Sequence, residues 1–210
     1  MDDAGIDVYA FSLDVPDWSA LEEVLAPDEV DRAERFRFAR DRRRYVVGRA
    51  RMRAILGDYL GQEPRTLRFG YGPQGKPALA APIGAARVDF NLTRSHELGI
   101  LAVQCDADIG VDVELLRPFP EALDIARRFF TPEEYARLAA LPSADVVAAF
   151  FEYWTRKEAV VKSSGQGLSQ PIDIPPDRWV ASLPELPANY VAAVASTVPP
   201  HSIRRRSWPQ

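Results

Sequence analysis

Tyr45-Val-Val-Gly-Arg-Ala-Arg-Met-Arg-Ala-Ile-Leu-Gly57 and Tyr153-Trp-Thr-Arg-Lys-Glu-Ala-Val-Val-Lys-Ser-Ser-Gly165 are passages of equal length with aromatic, basic and glycine residues in matching places. Each lies in a stretch with helical spacing, predicted over 41–60 and 144–164. Strand-like runs follow both. The order of elements therefore nearly repeats. It predicts an α+β fold of two similar halves, 1–115 and 116–210, each with a long helix packed on an antiparallel sheet. The halves join near 115–120 and pack as a pseudo-dimer. A ligand site between them is expected, because pockets favour domain interfaces.

Outward from the two helices, strands are predicted at 7–13, 88–92, 99–105, 109–115, 179–182 and 190–195. Shorter helices are predicted at 17–25, 27–38, 121–129 and 132–141, the second with Pro27 near its first position. Gly70-Tyr-Gly-Pro-Gln-Gly-Lys-Pro77 reads as a Gly/Pro loop. The tail 201–210 is expected to be partly ordered.

Chemistry concentrates at two places. In Gly110-Val-Asp-Val-Glu114, strand alternation sends Val111 and Val113 to a core while Asp112 and Glu114 project together. Two adjacent carboxylates repel unless a cation lies between them, and magnesium suits one or two carboxylates plus phosphate oxygens. Solvated acids on an exposed strand are the plain alternative. In Trp154-Thr-Arg-Lys-Glu-Ala-Val-Val-Lys162, helical spacing puts Trp154, Glu158 and Lys162 on one face. Glu158 and Lys162 there form either a surface ion pair or a third carboxylate with a phosphate-binding cation. Gly165-Gln-Gly167-Leu168 permits a tight helix exit. Arginine supplies 23 of the 26 basic residues. The three lysines, Lys76, Lys157 and Lys162, are thus candidates for places where a compact ammonium is wanted.

Together, Gly-Val-Asp-Val-Glu and Trp-x-x-Lys-Glu-Ala-x-x-Lys with its following Gly-x-Gly-Leu resemble the 4′-phosphopantetheinyl transferase superfamily. Length and halves resemble its monomeric, pseudo-dimeric, surfactin-synthetase-activating branch. The resemblance runs from about Arg32 to Gly167. It implies that Asp112, Glu114 and Glu158 hold magnesium, or manganese in its place, against the diphosphate of coenzyme A. Lys162 would touch that diphosphate and stabilise or protonate the leaving group. Glu134, in Phe129-Phe-Thr-Pro-Glu-Glu134-Tyr, falls where a proposed general base sits; its other reading is an acid in the first turn of a helix. The resemblance leaves open whether Glu134 or a metal-bound hydroxide takes the serine proton.

Gly75-Lys76-Pro77 matches an element that contacts the nucleotide, and Arg32 a basic residue that meets the 3′-phosphate. Thr93, Arg94 and Ser95 match a coenzyme-binding loop usually written Asn-Leu/Ile-Ser-His-Ser. Arg94 departs from that pattern, although a guanidinium still binds phosphate. The implied partners are coenzyme A and the apo acyl or peptidyl carrier proteins of polyketide or nonribosomal peptide synthases. The implied protein is a cytoplasmic monomer that binds neither nucleic acid nor membrane.

The bulk numbers agree. With 210 residues, 47% of them hydrophobic and 27% charged, the chain can build a core. A net charge of −4 opposes a protein whose whole surface binds nucleic acid. The start, Met-Asp-Asp-Ala-Gly, is acidic where a secretory leader is basic, and no apolar run is long enough for a membrane span. Lone Cys105 forms no internal disulfide. Two rival readings remain. Between Arg32 and Arg53 stand ten arginines against two acids, Glu34 and Asp41, which suggests a basic helix on a nucleic acid. The other rival is a catalytically silent module that binds coenzyme A or a carrier protein.

Overall fold

The computed structural model describes residues 5–80, 87–165, 172, 174 and 178–207. In chain order these form β1 (Gly5–Ser12), a 3-10 segment (Trp18–Val24), α1 (Pro27–Glu34), α2 (Ala39–Leu60), β2 (Phe69–Tyr71), β3 (Pro77–Leu79), β4 (Val88–Ser95), β5 (Leu98–Cys105) and β6 (Ile109–Leu115). Then come α3 (Ala122–Phe129), α4 (Pro132–Ala139), α5 (Ser143–Ser164), β7 (Trp179–Ser182), β8 (Tyr190–Ser196) and β9 (Ser202–Arg206).

One sheet has the order β4-β5-β1-β9 and the other β6-β8-β7, with β2 and β3 forming a separate hairpin. All pairings are antiparallel except β9, which runs parallel to β1. The period-2 alternation of each strand determines the layers. Ile6, Val8, Leu98, Ile100 and Ala102 leave the first sheet on one face and meet Val111, Val113, Tyr190, Ala192 and Val194 from the second. On its other face the first sheet packs Tyr9, Phe11, Phe90, Leu101 and Val103 against Val47, Met52, Ile55 and Leu56 of α2. The second sheet turns Ala193 and Ala195 to Ala159 and Val160 of α5. The result is α2, sheet, sheet, α5: two helix-on-sheet units packed sheet to sheet. Both faces of the central strands are buried, so their sequences read as nearly continuous apolar runs.

α5 lies very close to β6, and Gly110 makes this geometry possible. A Cβ there would stand 2.0 Å from the Ala159 carbonyl oxygen and 2.4 Å from the Ser163 nitrogen. The expected α+β class and the long helix on each antiparallel sheet are present. Several local expectations are corrected. The helix expected at 27–38 stops at Glu34 and a new one starts at Ala39, with Phe38 extended between them. The 17–25 segment is 3-10 rather than α. The 70–77 loop is the turn of the β2–β3 hairpin.

The repeat shifts by one helical turn. Both helices end on left-handed glycines, Gly61 and Gly165, so Gly61 rather than Gly57 is the partner of Gly165. Gly57 sits inside α2, where a Cβ would approach the Gln62 carbonyl oxygen to 2.7 Å. Sheet pairing crosses the junction at Leu115 in both directions. β6 pairs with β8, and the tail strand β9 returns to β1. Gln166, Gly167 and Leu168 of the glycine exit lie outside the described residues.

Candidate active site

Thr93-Arg-Ser95, read from sequence as loop beyond the strand expected at 88–92, continues β4, so that Asn91 to Ser95 are fully paired with β5. Its alternation divides the five residues. Asn91, Thr93 and Ser95 face β6 of the other sheet and join the two sheets through side chains. Asn91 Oδ1 accepts the Val111 N–H at 2.9 Å. Thr93 Oγ1 donates to Asp112 Oδ1 at 3.2 Å. Ser95 Oγ donates to Glu114 Oε2 at 3.1 Å and accepts the Leu115 N–H at 3.2 Å. Leu92 and Arg94 point the other way, where Leu92 joins the α2 core and Arg94 lies over the Tyr45 ring.

Across from this polar seam, α5 presents Glu158 and Lys162. Lys162 Nζ pairs with Asp112 Oδ1 at 2.5 Å and donates to Thr93 Oγ1 at 3.3 Å. Asp112 is 5% exposed, and its Oδ2 is buried with no hydrogen-bond partner among the described residues. Burial pushes the Asp112 carboxyl above its ordinary range, against the pull of Lys162 and Thr93. Burial and the neighbouring Asp112 charge also raise Glu114, opposed by Ser95. Burial raises Glu158; Lys162 opposes this, while the charges of Asp112 and Glu114 add to it. Three carboxylates thus share one partly buried region with one ammonium between them. Among the described residues, no three of His, Cys, Asp and Glu already stand as a ready metal-ligand group.

The Gly75-Lys76-Pro77 turn closes the other side. Together with Asn91, Glu158 and Lys162 it lines a cleft of about 350 Å³. Motifs more than eighty residues apart in sequence therefore meet in one cavity. Gly75 supports the turn with a φ of +79°, a conformation glycine adopts at no steric cost.

Arg32 and Arg94 gather elsewhere. Their guanidinium carbons lie 5.6 and 5.5 Å from the Tyr45 ring centroid, and Arg32 lines a shallow groove with Asp28, Asp31, Arg35 and Phe36. Glu134 also stands apart from the carboxylate cluster. Its Oε2 accepts the Thr131 N–H at 2.8 Å, completing a capping box at the start of α4. The same oxygen pairs with Lys157 at 2.7 Å, a lysine with no exposed side-chain surface. The Lys157 ammonium also donates to the Ile172 carbonyl and faces the Phe130 ring.

Sequence reasoning missed Asn91 as a seam residue and the burial of Lys157. Alternation of polar residues at 91, 93 and 95 would have revealed the first. Five of the ten arginines of the basic stripe are paired with acids outside it. Arg42 pairs with Glu22, Arg43 and Arg44 with Asp14, and Arg49 and Arg53 with Glu29. Among the described residues no helix is long and apolar enough to cross a membrane.

Comparison with known proteins gives the family. Residues 13–106 match the model of the 4′-phosphopantetheinyl transferase N-terminal region. Residues 108–196 match the model of the 4′-phosphopantetheinyl transferase superfamily. The 4′-phosphopantetheinyl transferase HetI of Nostoc sp. is 39% identical over 193 residues, covering 90% of this chain and 79% of that protein. A 4′-phosphopantetheinyl transferase of Bacillus subtilis is 31% identical over 171 residues, 79% of this chain and 73% of its own. The chain belongs to the 4′-phosphopantetheinyl transferase superfamily of enzymes.

Proposed function

We propose that the protein transfers 4′-phosphopantetheine from coenzyme A to a serine hydroxyl of an acyl or peptidyl carrier protein. It would release 3′,5′-ADP with magnesium as cofactor and act as a cytoplasmic monomer. One observation carries the reading. The 75–77 turn and the Glu158/Lys162 face of α5 line one cleft, and Lys162 there pairs with Asp112 of β6. The arrangement offers Lys162 directly to a diphosphate and the three carboxylates to a metal ion that would neutralise it further.

The serine oxygen forms a bond to the phosphorus nearer pantetheine. The bond from that phosphorus to the oxygen of 3′,5′-ADP breaks, and the serine proton passes to a base. Lys162, 31% exposed at its side chain, can turn its ammonium to the diphosphate and stabilise charge on the departing oxygen. Thr93 and Ser95 hold Asp112 and Glu114 in place. Arg32 and Arg94, drawn together at Tyr45, offer two guanidiniums to the 3′-phosphate.

The donor set suits magnesium. Asp112, Glu114 and Glu158 are hard oxygen ligands, their charged forms are disfavoured without a further cation, and Asp112 Oδ2 has no hydrogen-bond partner among the described residues. When bound, such an ion polarises phosphate oxygens and neutralises their charge.

The test is incubation with coenzyme A, magnesium and a panel of apo carrier proteins, followed by mass spectrometry of the carriers. A gain of one phosphopantetheine that a chelator abolishes is the expected result. Coenzyme A binding with no mass gain on any carrier would instead make the protein a silent binding module. Failure to bind coenzyme A would overturn the reading.

A further inference from the structure

Lys76 sits in the turn that the family resemblance assigns to the nucleotide, yet its ammonium is directed into the protein. It donates to the Ile109 carbonyl at 2.8 Å and to the Ser163 carbonyl at 3.2 Å. Among the described residues it forms no ion pair. Burial lowers its pKa, with Asp108 and Asp89 opposing this from a distance. A partly desolvated ammonium bound to two backbone carbonyls is an expensive arrangement for a side chain that only awaits a ligand.

The two carbonyls explain it. Ser163 lies in the last turn of α5, where carbonyls lack helical partners and carry the negative end of the helix dipole. Ile109 opens β6, three residues before Asp112. Between them lies the close contact at Gly110, where the α5 backbone touches the strand. The turn holds the lysine in place, with Gly72 N–H donating to the Lys76 carbonyl at 2.9 Å and Gly75 N–H to the Gly72 carbonyl at 2.8 Å.

We infer that Lys76 is a positioning residue that fixes the end of α5 against the start of β6, so that Glu158 and Lys162 stand opposite Asp112. This rests on the transfer reading given above, since the contact it sets is that of the proposed site. Sliding α5 by one residue moves it about 1.5 Å along its axis, more than the 2.5 Å Lys162–Asp112 contact tolerates.

The test is Lys76→Met, with Lys76→Arg as the conservative variant and Lys76→Gln in reserve should the methionine protein fail to fold. Steady-state transfer to a modified carrier is measured alongside hydrogen exchange of peptides spanning 155–165. A positioning role lowers kcat by about 10²-fold. It leaves KM for coenzyme A within about threefold. Exchange at the end of α5 speeds up, and Lys76→Arg, which can still bridge two carbonyls, recovers most of the rate. A rise of about tenfold or more in KM with kcat and exchange unchanged would make Lys76 a substrate contact and overturn the inference. Unchanged exchange overturns it whatever the kinetics. If the wild-type protein modifies no carrier, faster exchange still establishes the joint and only the transfer reading falls.

Discussion

The two long helices have equal length, end on left-handed glycines and each cover a sheet, yet they treat buried charge in opposite ways. On α2, Arg49 and Arg53 both bind Glu29, a carboxylate 1% exposed. Glu29 also accepts the Ala26 N–H, while Arg53 donates to the Pro64 and Leu67 carbonyls. That cluster has partners throughout. On α5, Glu158 and Lys162 meet Asp112 and Glu114, where carboxylates outnumber cations and one buried oxygen has no partner among the described residues. A satisfied buried network holds a fold together, whereas an under-compensated one is a site waiting for a charge. Under the proposed function, the same supersecondary unit serves as scaffold in one half and as chemistry in the other.

The sharpest way to break this comparison is to remove one carboxylate from each side. Glu29→Ala leaves two guanidiniums buried without their anion and should cost about 3–5 kcal/mol of stability, read by chemical denaturation. Its transfer rate per folded molecule should hardly change. Asp112→Asn should do the reverse. Lys162 can turn to water, and a buried carboxylate that resists ionisation is gone, so stability should hold or rise. Transfer should fall by about 10²-fold or more. Asp112→Asn that loses several kcal/mol of stability while keeping its transfer rate per folded molecule would show that the two clusters have been assigned the wrong way round.

The α5 cluster was largely readable in the sequence, because alternation in Val111-Asp-Val-Glu114 and helical spacing from Glu158 to Lys162 are local and periodic. The meeting of the 75–77 turn with that face was not, since it depends on how two sheets stack. Arg94 shows the limit clearly. Its motif neighbours Thr93 and Ser95 reach the carboxylates, but strand pairing sends Arg94 to the opposite face, a consequence of register invisible while the segment reads as a loop. The strand β9 was hidden for another reason: Ser202-Ile-Arg-Arg-Arg206 has one apolar residue. It pairs with β1, and its arginines reach a carboxylate nearly two hundred positions away.

Glu134 tests the border between scaffold and chemistry. It caps α4 and pairs with the fully buried Lys157, so Glu134→Ala should cost about 2 kcal/mol. Glu134→Gln keeps a side chain able to complete the capping box and should recover part of that loss. A glutamine variant that stays folded yet transfers about 10²-fold more slowly would give Glu134 a second role as proton acceptor.

The smallest effect belongs to the clasp that returns the tail to the first sheet. Asp7, 6% exposed, accepts from Arg204 Nε at 2.7 Å and Arg206 Nε at 2.9 Å, and also from the Tyr59 hydroxyl. Burial pushes its carboxyl up, but the three donors outweigh that and hold it below the ordinary range. A carboxyl lowered in the fold binds fewer protons there than in the unfolded chain. Its contribution is therefore complete above the unfolded carboxylate value of about 4 and is lost as pH falls through and below it. Both arginines keep contact with water, which limits the contribution to about 1 kcal/mol. Denaturation of wild type and Asp7→Asn should differ by that amount at pH 7 and converge toward pH 2–3. No gap at any pH would mean that β9 is held by its backbone pairing with β1 and that the arginines merely follow it, whereas a gap that widened with acid would mean that the fold raises the Asp7 carboxyl instead of lowering it.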